Sequence, residues 1–228
     1  MTSTQVLKAP SHWAAWLLLI LSGIGVFGLP HPTRLDLFIS DFFYDAASHQ
    51  FPLKNNPLFA VALHSGLKYF SVCLWLGLLA FTLVKRQRPG HSQRLYLLVT
   101  ALLAALLVSV FKSLSTHSCP WDLQDFGGPF TDLTGPGRCF PSGHASVGFM
   151  WIAWLFAPLA LPGVKRWQIV LFVVSIGALA SFVQIARGAH FLSHVLATAW
   201  VCWAVAQCMA FIWEKAQAKL NSRSARKV

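Results

Sequence analysis

Seven residues could do chemistry together: Lys112, Ser142, Gly143, His144, Arg187, His190 and His194. Each sits at the edge of an apolar run, where an ionisable side chain is expensive and by default functional. Lys112 and Arg187 supply positive charge for an anion, and an arginine can grip phosphate with two parallel hydrogen bonds. "PSGHAS" places Ser142, Gly143 and His144 where a loop turns into a helix. Free backbone N–H groups at such a turn bind phosphate oxygens, and Gly143 lets the backbone come close. His144 and His190 could then act as general acid and nucleophile on either side of a phosphorus atom. On a continuous helix Arg187, His190 and His194 share one face.

The elements that must position these residues are apolar. The 228 residues are 56% hydrophobic and 11% charged. A soluble domain carries roughly a quarter charged residues. Six runs approach the ~20 apolar residues that cross a bilayer: Trp13–Leu29, Leu58–Val84, Leu95–Phe111, Ala145–Val164, Trp167–Ile185 and Val195–Trp213. The first lacks a small-residue cleavage site and reads as a retained span. The net charge of +11 does not point to nucleic acid, because the basic residues sit in short clusters between apolar runs. Lys8, Lys85, Arg86, Arg88, Arg94, Lys165, Arg166, Lys215, Lys219, Arg223, Arg226 and Lys227 all fall on one side, twelve of the eighteen basic residues. The positive-inside rule makes that side cytoplasmic. The expected fold is therefore all-α: a polytopic six-transmembrane-helix bundle with both termini cytoplasmic, one domain over 1–228. The seven residues then lie at the outer edge, on three helices. Residues 30–57 are expected to include a helix lying in the membrane interface. Residues 112–144 form the longest loop, and long loops are often functional.

"K…CP", "PSGH" and "GAHFLSH" resemble, in order, the three signature motifs of the type 2 phosphatidic acid phosphatase superfamily. The resemblance covers residues 112–194, the motif-bearing core. It implies a membrane phosphatase or phosphotransferase that works without metal or other cofactor. Its substrate would be a lipid phosphate or diphosphate reached from the outer leaflet. By that resemblance His190 is the nucleophile that becomes a phosphohistidine, and His144 protonates the leaving oxygen. Lys112, Ser142 and Gly143 would hold the phosphate. The family's pattern differs at four positions. Its first-motif Arg is Cys119 here, its third-motif Ser and Arg are Val183 and Gln184, and its Asp four residues after the nucleophile is His194. Arg138 and Arg187 are candidates to replace the missing guanidinium. Asp122, Asp125 or Asp132 could fold back to supply charge beside His194.

Cys119 and Cys139 lie in the outer loop, where a disulfide is permitted, and are expected to be joined. His64 reads as a packing residue of its span, and Lys68 as a side chain that reaches the interface. Three rival functions remain open: a zinc site on His144, His190 and His194, a serine protease built on Ser142, and a lipid-phosphate carrier without catalysis. The partners expected are a lipid phosphate substrate and membrane lipids.

Overall fold

The computed structural model describes residues 12–28, 31–131 and 137–225. Among them the regular elements are all helices: α1 His12–Phe27, α2 Arg34–Phe43, α3 Leu58–Val84, α4 His91–Leu114, α5 Ser146–Phe156, α6 Arg166–Ala186 and α7 Leu192–Ala225. Lys8, Asp132, Arg226 and Lys227 lie outside the described residues.

Four helices are long and apolar enough to cross a membrane by length and composition: α3, α4, α6 and α7 over Leu192–Lys219. That is compatible with an integral membrane protein. Side chains such as Leu18, Ile24, Val84, Val110, Leu171, Leu196 and Ile212 point outward from the bundle. The other two expected spans are shorter. α1 has 16 residues, about 24 Å at 1.5 Å per residue. α5 is one α-helical turn, Ser146–Phe149, continued by a 3-10 stretch, Met150–Phe156. Pro158 ends it early, because the residue before a proline is pushed out of helical geometry. Residues 157–164, expected as span, are turns instead.

Small residues let α5 and α6 meet closely. A Cβ on Gly148 would stand 2.3 Å from the Gly177 backbone, the kind of approach that membrane helices use. Polar cross-links complete the core. Ser71 Oγ donates to the Val147 carbonyl at 2.8 Å and accepts from Trp151 Nε1 at 3.0 Å. Tyr96 donates to the Ala206 carbonyl at 2.7 Å. Arg94, counted above among loop charges, is fully buried. Its guanidinium donates to the carbonyls of Lys85, Arg88, Pro89 and Ala160, fastening two loops at one end of the bundle.

The opposite end carries the polar residues. α2 begins with a capping box: Thr33 Oγ1 accepts from Asp36 N at 3.1 Å, and Asp36 Oδ2 accepts from Thr33 N at 2.7 Å. Its buried residues are the polar Asp36 and Ser40, while Phe38 and Phe42 are exposed. This suits the expected interfacial helix, with its apolar face outward. Residues 115–131 cover this end, packing Leu123 and Phe126 against Phe51 and Phe191.

Candidate functional site

A cavity of about 830 Å³ opens at this end. Lys112 reaches it from the end of α4. The Lys112 stem lies across Gly143, so close that a Cβ there would be 3.1 Å from Lys112 Cδ. The "PSGH" segment is fixed by its backbone. Ser142 N donates to the His194 carbonyl at 3.0 Å, Thr198 Oγ1 donates to the Ser142 carbonyl at 2.8 Å, and Ser146 Oγ donates to the Gly143 carbonyl at 2.7 Å. His144 therefore stands at the mouth of α5, in the cavity wall, with its Nε2 buried and unpartnered.

The stretch from Arg187 to His194 is not one helix. α6 ends at Ala186 and α7 starts at Leu192. Gly188 turns the chain between them at φ 70°, where a Cβ would strike the Phe51 ring. Arg187 and His190 consequently sit in the link and His194 in the first turn of α7. His190 lines the cavity and is 4% exposed, with Nδ1 unpartnered. His194 lies behind it, ring centroids 5.8 Å apart, and does not line the cavity.

Lys112, Gly143, His144, Arg187, His190 and Arg138 all line this cavity, as do Cys119 and Cys139. Ser142 does not: its Oγ is buried without a partner. Cys119 and Cys139 are joined by a disulfide, Cα–Cα 5.3 Å. Cys139 N donates to the His117 carbonyl and Trp121 N to the Gly188 carbonyl, both at 3.0 Å. The bridged loop is thereby tied to the link that carries His190.

Three findings depart from the sequence reading. His64 is part of the site rather than simple packing. Its ring lies 3.8 Å from that of His144, planes 11° apart. Gln184 Nε2 and Arg187 Nη1 approach His64 Nδ1 at 2.8 and 3.3 Å. A nitrogen facing two donors is the unprotonated one. Lys68 also lines the cavity. Finally, among the described residues the carboxylate bonded beside His194 is Asp36 of α2, which accepts from Ser193 N at 2.8 Å. Asp122 instead accepts from Cys119 N at 3.3 Å. For His64 the available sequence signal was its place one turn before Lys68, at the same end of the span. Asp36 announced itself only as a helix cap.

Electrostatically the site favours anions. Burial, then His64, Arg187 and Lys112, push His144 down to about 4. Burial, then His194 and Lys112, hold His190 well below its ordinary range. Both imidazoles are therefore neutral at neutral pH. Arg187 is anchored by Nε donating to the Lys54 carbonyl at 3.1 Å, and its guanidinium lies 5.9 Å over the Trp121 ring. Among the described residues Asp122 is the one carboxylate in the lining. Among the described residues, the grouping of potential metal ligands is Cys119, Asp122 and Cys139. Its two sulfurs are already bonded to each other, so this set does not fit a metal ion.

Three histidines and several cations line one cavity of an all-helical bundle, an arrangement suited to holding a phosphate. Residues 93–217 match the PAP2 superfamily. The chain belongs to that superfamily, whose members are phosphatases. No curated protein and no solved structure matches it.

Proposed function

We propose that the protein is a membrane phosphatase that hydrolyses a lipid phosphate or diphosphate through a phosphohistidine. One observation carries the reading: His190, His144 and Lys112 line a single cavity that also holds Arg187. In the first step the ring nitrogen of neutral His190 attacks phosphorus. The N–P bond forms, the bond from phosphorus to the lipid oxygen breaks, and the proton that His144 takes up beside the bound anionic substrate passes to that oxygen. In the second step water attacks phosphorus, His144 takes its proton, and the N–P bond breaks to release phosphate. Lys112 and Arg187 offset charge on the phosphoryl oxygens, with no metal in the scheme. Arg138 at the rim is placed to assist. Ser142 contributes through the loop backbone it fixes.

The bundle has six spans in this reading, α1 and α5 being short ones, with both termini cytoplasmic. The basic clusters at the ends of α3 and α7 and the start of α6 support that orientation. In this reading the cavity faces outward, and the compactness of the chain and its family resemblance favour a bacterial inner membrane.

The test is a phosphate-release screen in detergent micelles. It offers phosphatidate, phosphatidylglycerol phosphate, an isoprenyl diphosphate and a lipopolysaccharide anchor to wild type and His190→Ala. Release by wild type from at least one lipid, lost in His190→Ala, is expected, with acid-labile phosphate on the wild-type protein. Label moving from the protein to a second lipid instead of water would make it a phosphotransferase. Neither release nor transfer from any of them would favour a carrier.

A further inference from the structure

We propose that Asp36 is the positioning carboxylate of this site: it holds His194 and, through it, offsets the positive charge that develops on His190. The proposal rests on the phosphohistidine reading above.

His190 and His194 are adjacent buried imidazoles, 4% and 1% exposed, and each has an unpartnered Nδ1. When His190 attacks phosphorus its ring becomes cationic. The groups acting on His190 are Lys112, His144 and His194, none of them anionic. The groups acting on His194 are Asp36 from α2, His117 from the segment after α4, and His31 from the turn before α2. Of these only Asp36 is negative. A developing cation in a dry site needs an opposite charge nearby, because no water can supply the compensation.

Asp36 is itself 1% exposed. Its neighbours are backbone amides and a hydroxyl rather than a cation. Oδ1 accepts from Ser193 N at 2.8 Å, and Oδ2 accepts from Thr33 N at 2.7 Å and Thr33 Oγ1 at 2.9 Å. Ser193 N belongs to the first turn of α7, so the carboxylate also meets the positive end of that helix. A single residue on α2 thus clamps the helix start that carries His194 and puts a fixed negative charge behind it. A cap of α2 alone would require only the Thr33 bonds. The bond across 157 residues to Ser193 is what assigns Asp36 to the site.

The experiment compares wild type, Asp36→Asn, His194→Asp and the double variant. Asn removes the charge and keeps a single acceptor oxygen, which serves either the Thr33 bonds or the Ser193 bond. In turnover on the lipid phosphate that wild type hydrolyses best, Asp36→Asn is expected to lower kcat about tenfold or more and leave KM within about threefold. In the His194→Asp background the charge is already next to His190, so adding Asp36→Asn should change kcat by less than about twofold. A purely structural Asp36 would lower kcat by the same factor in both backgrounds, and that overturns the proposal. Thermal unfolding of the same four proteins decides the pairing without any turnover. Non-additive shifts in midpoint support it, and additive shifts overturn it. If wild type releases no phosphate, the phosphatase reading fails, and with it the charge-offset role, while the unfolding cycle still reports whether Asp36 and His194 are coupled.

Discussion

His64 and His144 stack face to face, ring centroids 3.8 Å apart and planes 11° from parallel. The stack fixes the plane of His144, and the bonds from Gln184 and Arg187 fix His64. His64→Ala removes the platform and leaves the Gln184 amide with one partner fewer. Turnover should fall by about ten- to a hundredfold, as expected when an acid is no longer held in reach of its leaving group. His64→Phe keeps a flat ring and should recover most of that loss. Steady-state kcat for the two variants checks this, and equal loss in both would mean that the stack is not what matters.

The pH dependence follows from two depressed imidazoles. In the proposed mechanism the active form of the free enzyme has His144 protonated and His190 neutral. His144 titrates at about 4, so kcat/KM should decline as pH rises above that value. An anionic substrate beside His144 raises its affinity for a proton, so the plateau in kcat should reach higher pH than that in kcat/KM. Folding stability has the opposite sign. In the unfolded chain His144 titrates near its ordinary 6.5 and in the folded protein near 4. The unfolded state binds more protons between those values, so stability is full above the upper one and falls as pH drops through the window. Melting midpoints in detergent between pH 7 and pH 4 measure this, and His144→Gln should flatten part of the slope.

Residue type and spacing made Lys112, "PSGH" and His190 legible, because each sits at an element boundary where an ionisable residue is conspicuous. His64 and Asp36 were not legible as site residues. Their partners in the site, His144, Gln184 and Arg187 for His64 and Ser193 for Asp36, are distant in sequence, and no local spacing encodes such a contact. Asp36 was further hidden by the Thr33 capping box, which accounts for an acid at that position without a second role. The long spans followed from hydropathy. The fourth was read too long because apolar content alone counts Ala157–Val164 as helix, although Pro158, Pro162 and Gly163 already punctuate it. The helical stripe expected of Arg187, His190 and His194 failed at Gly188 for the same reason: hydropathy does not register a turn.

Two glycines separate site geometry from packing. Gly143→Ala would place a methyl 3.1 Å from Lys112 Cδ, the middle of a flexible side chain. The lysine can give way, so folding should change by less than about 1 kcal/mol while substrate KM rises severalfold as Nζ is displaced. Gly148→Ala meets the Gly177 backbone at 2.3 Å, which cannot move without parting α5 from α6. That variant should lose about 1–3 kcal/mol or more by overpacking, seen as a lower melting midpoint. The reverse ranking in a melting assay would contradict this account of the two contacts.

The Cys119–Cys139 disulfide should matter to turnover as well as to folding. It joins positions 20 apart in sequence, and closing a loop of that size restricts the unfolded chain by about 3 kcal/mol in the chain-entropy account. Cys139 also lies against the link that carries His190, its Sγ 3.5 Å from the Ala189 carbonyl oxygen. Trp121, two residues after Cys119, bonds the Gly188 carbonyl in the same link. Reducing the bond frees both ends of this clasp. Treatment of the folded protein with a phosphine reductant should therefore lower kcat as well as the melting midpoint. Cys119→Ser/Cys139→Ser should show the same losses and no longer respond to the reductant. Equal turnover by oxidised and reduced wild type, with full thiol labelling confirmed by mass, would reduce the bridge to a stabiliser of the loop alone.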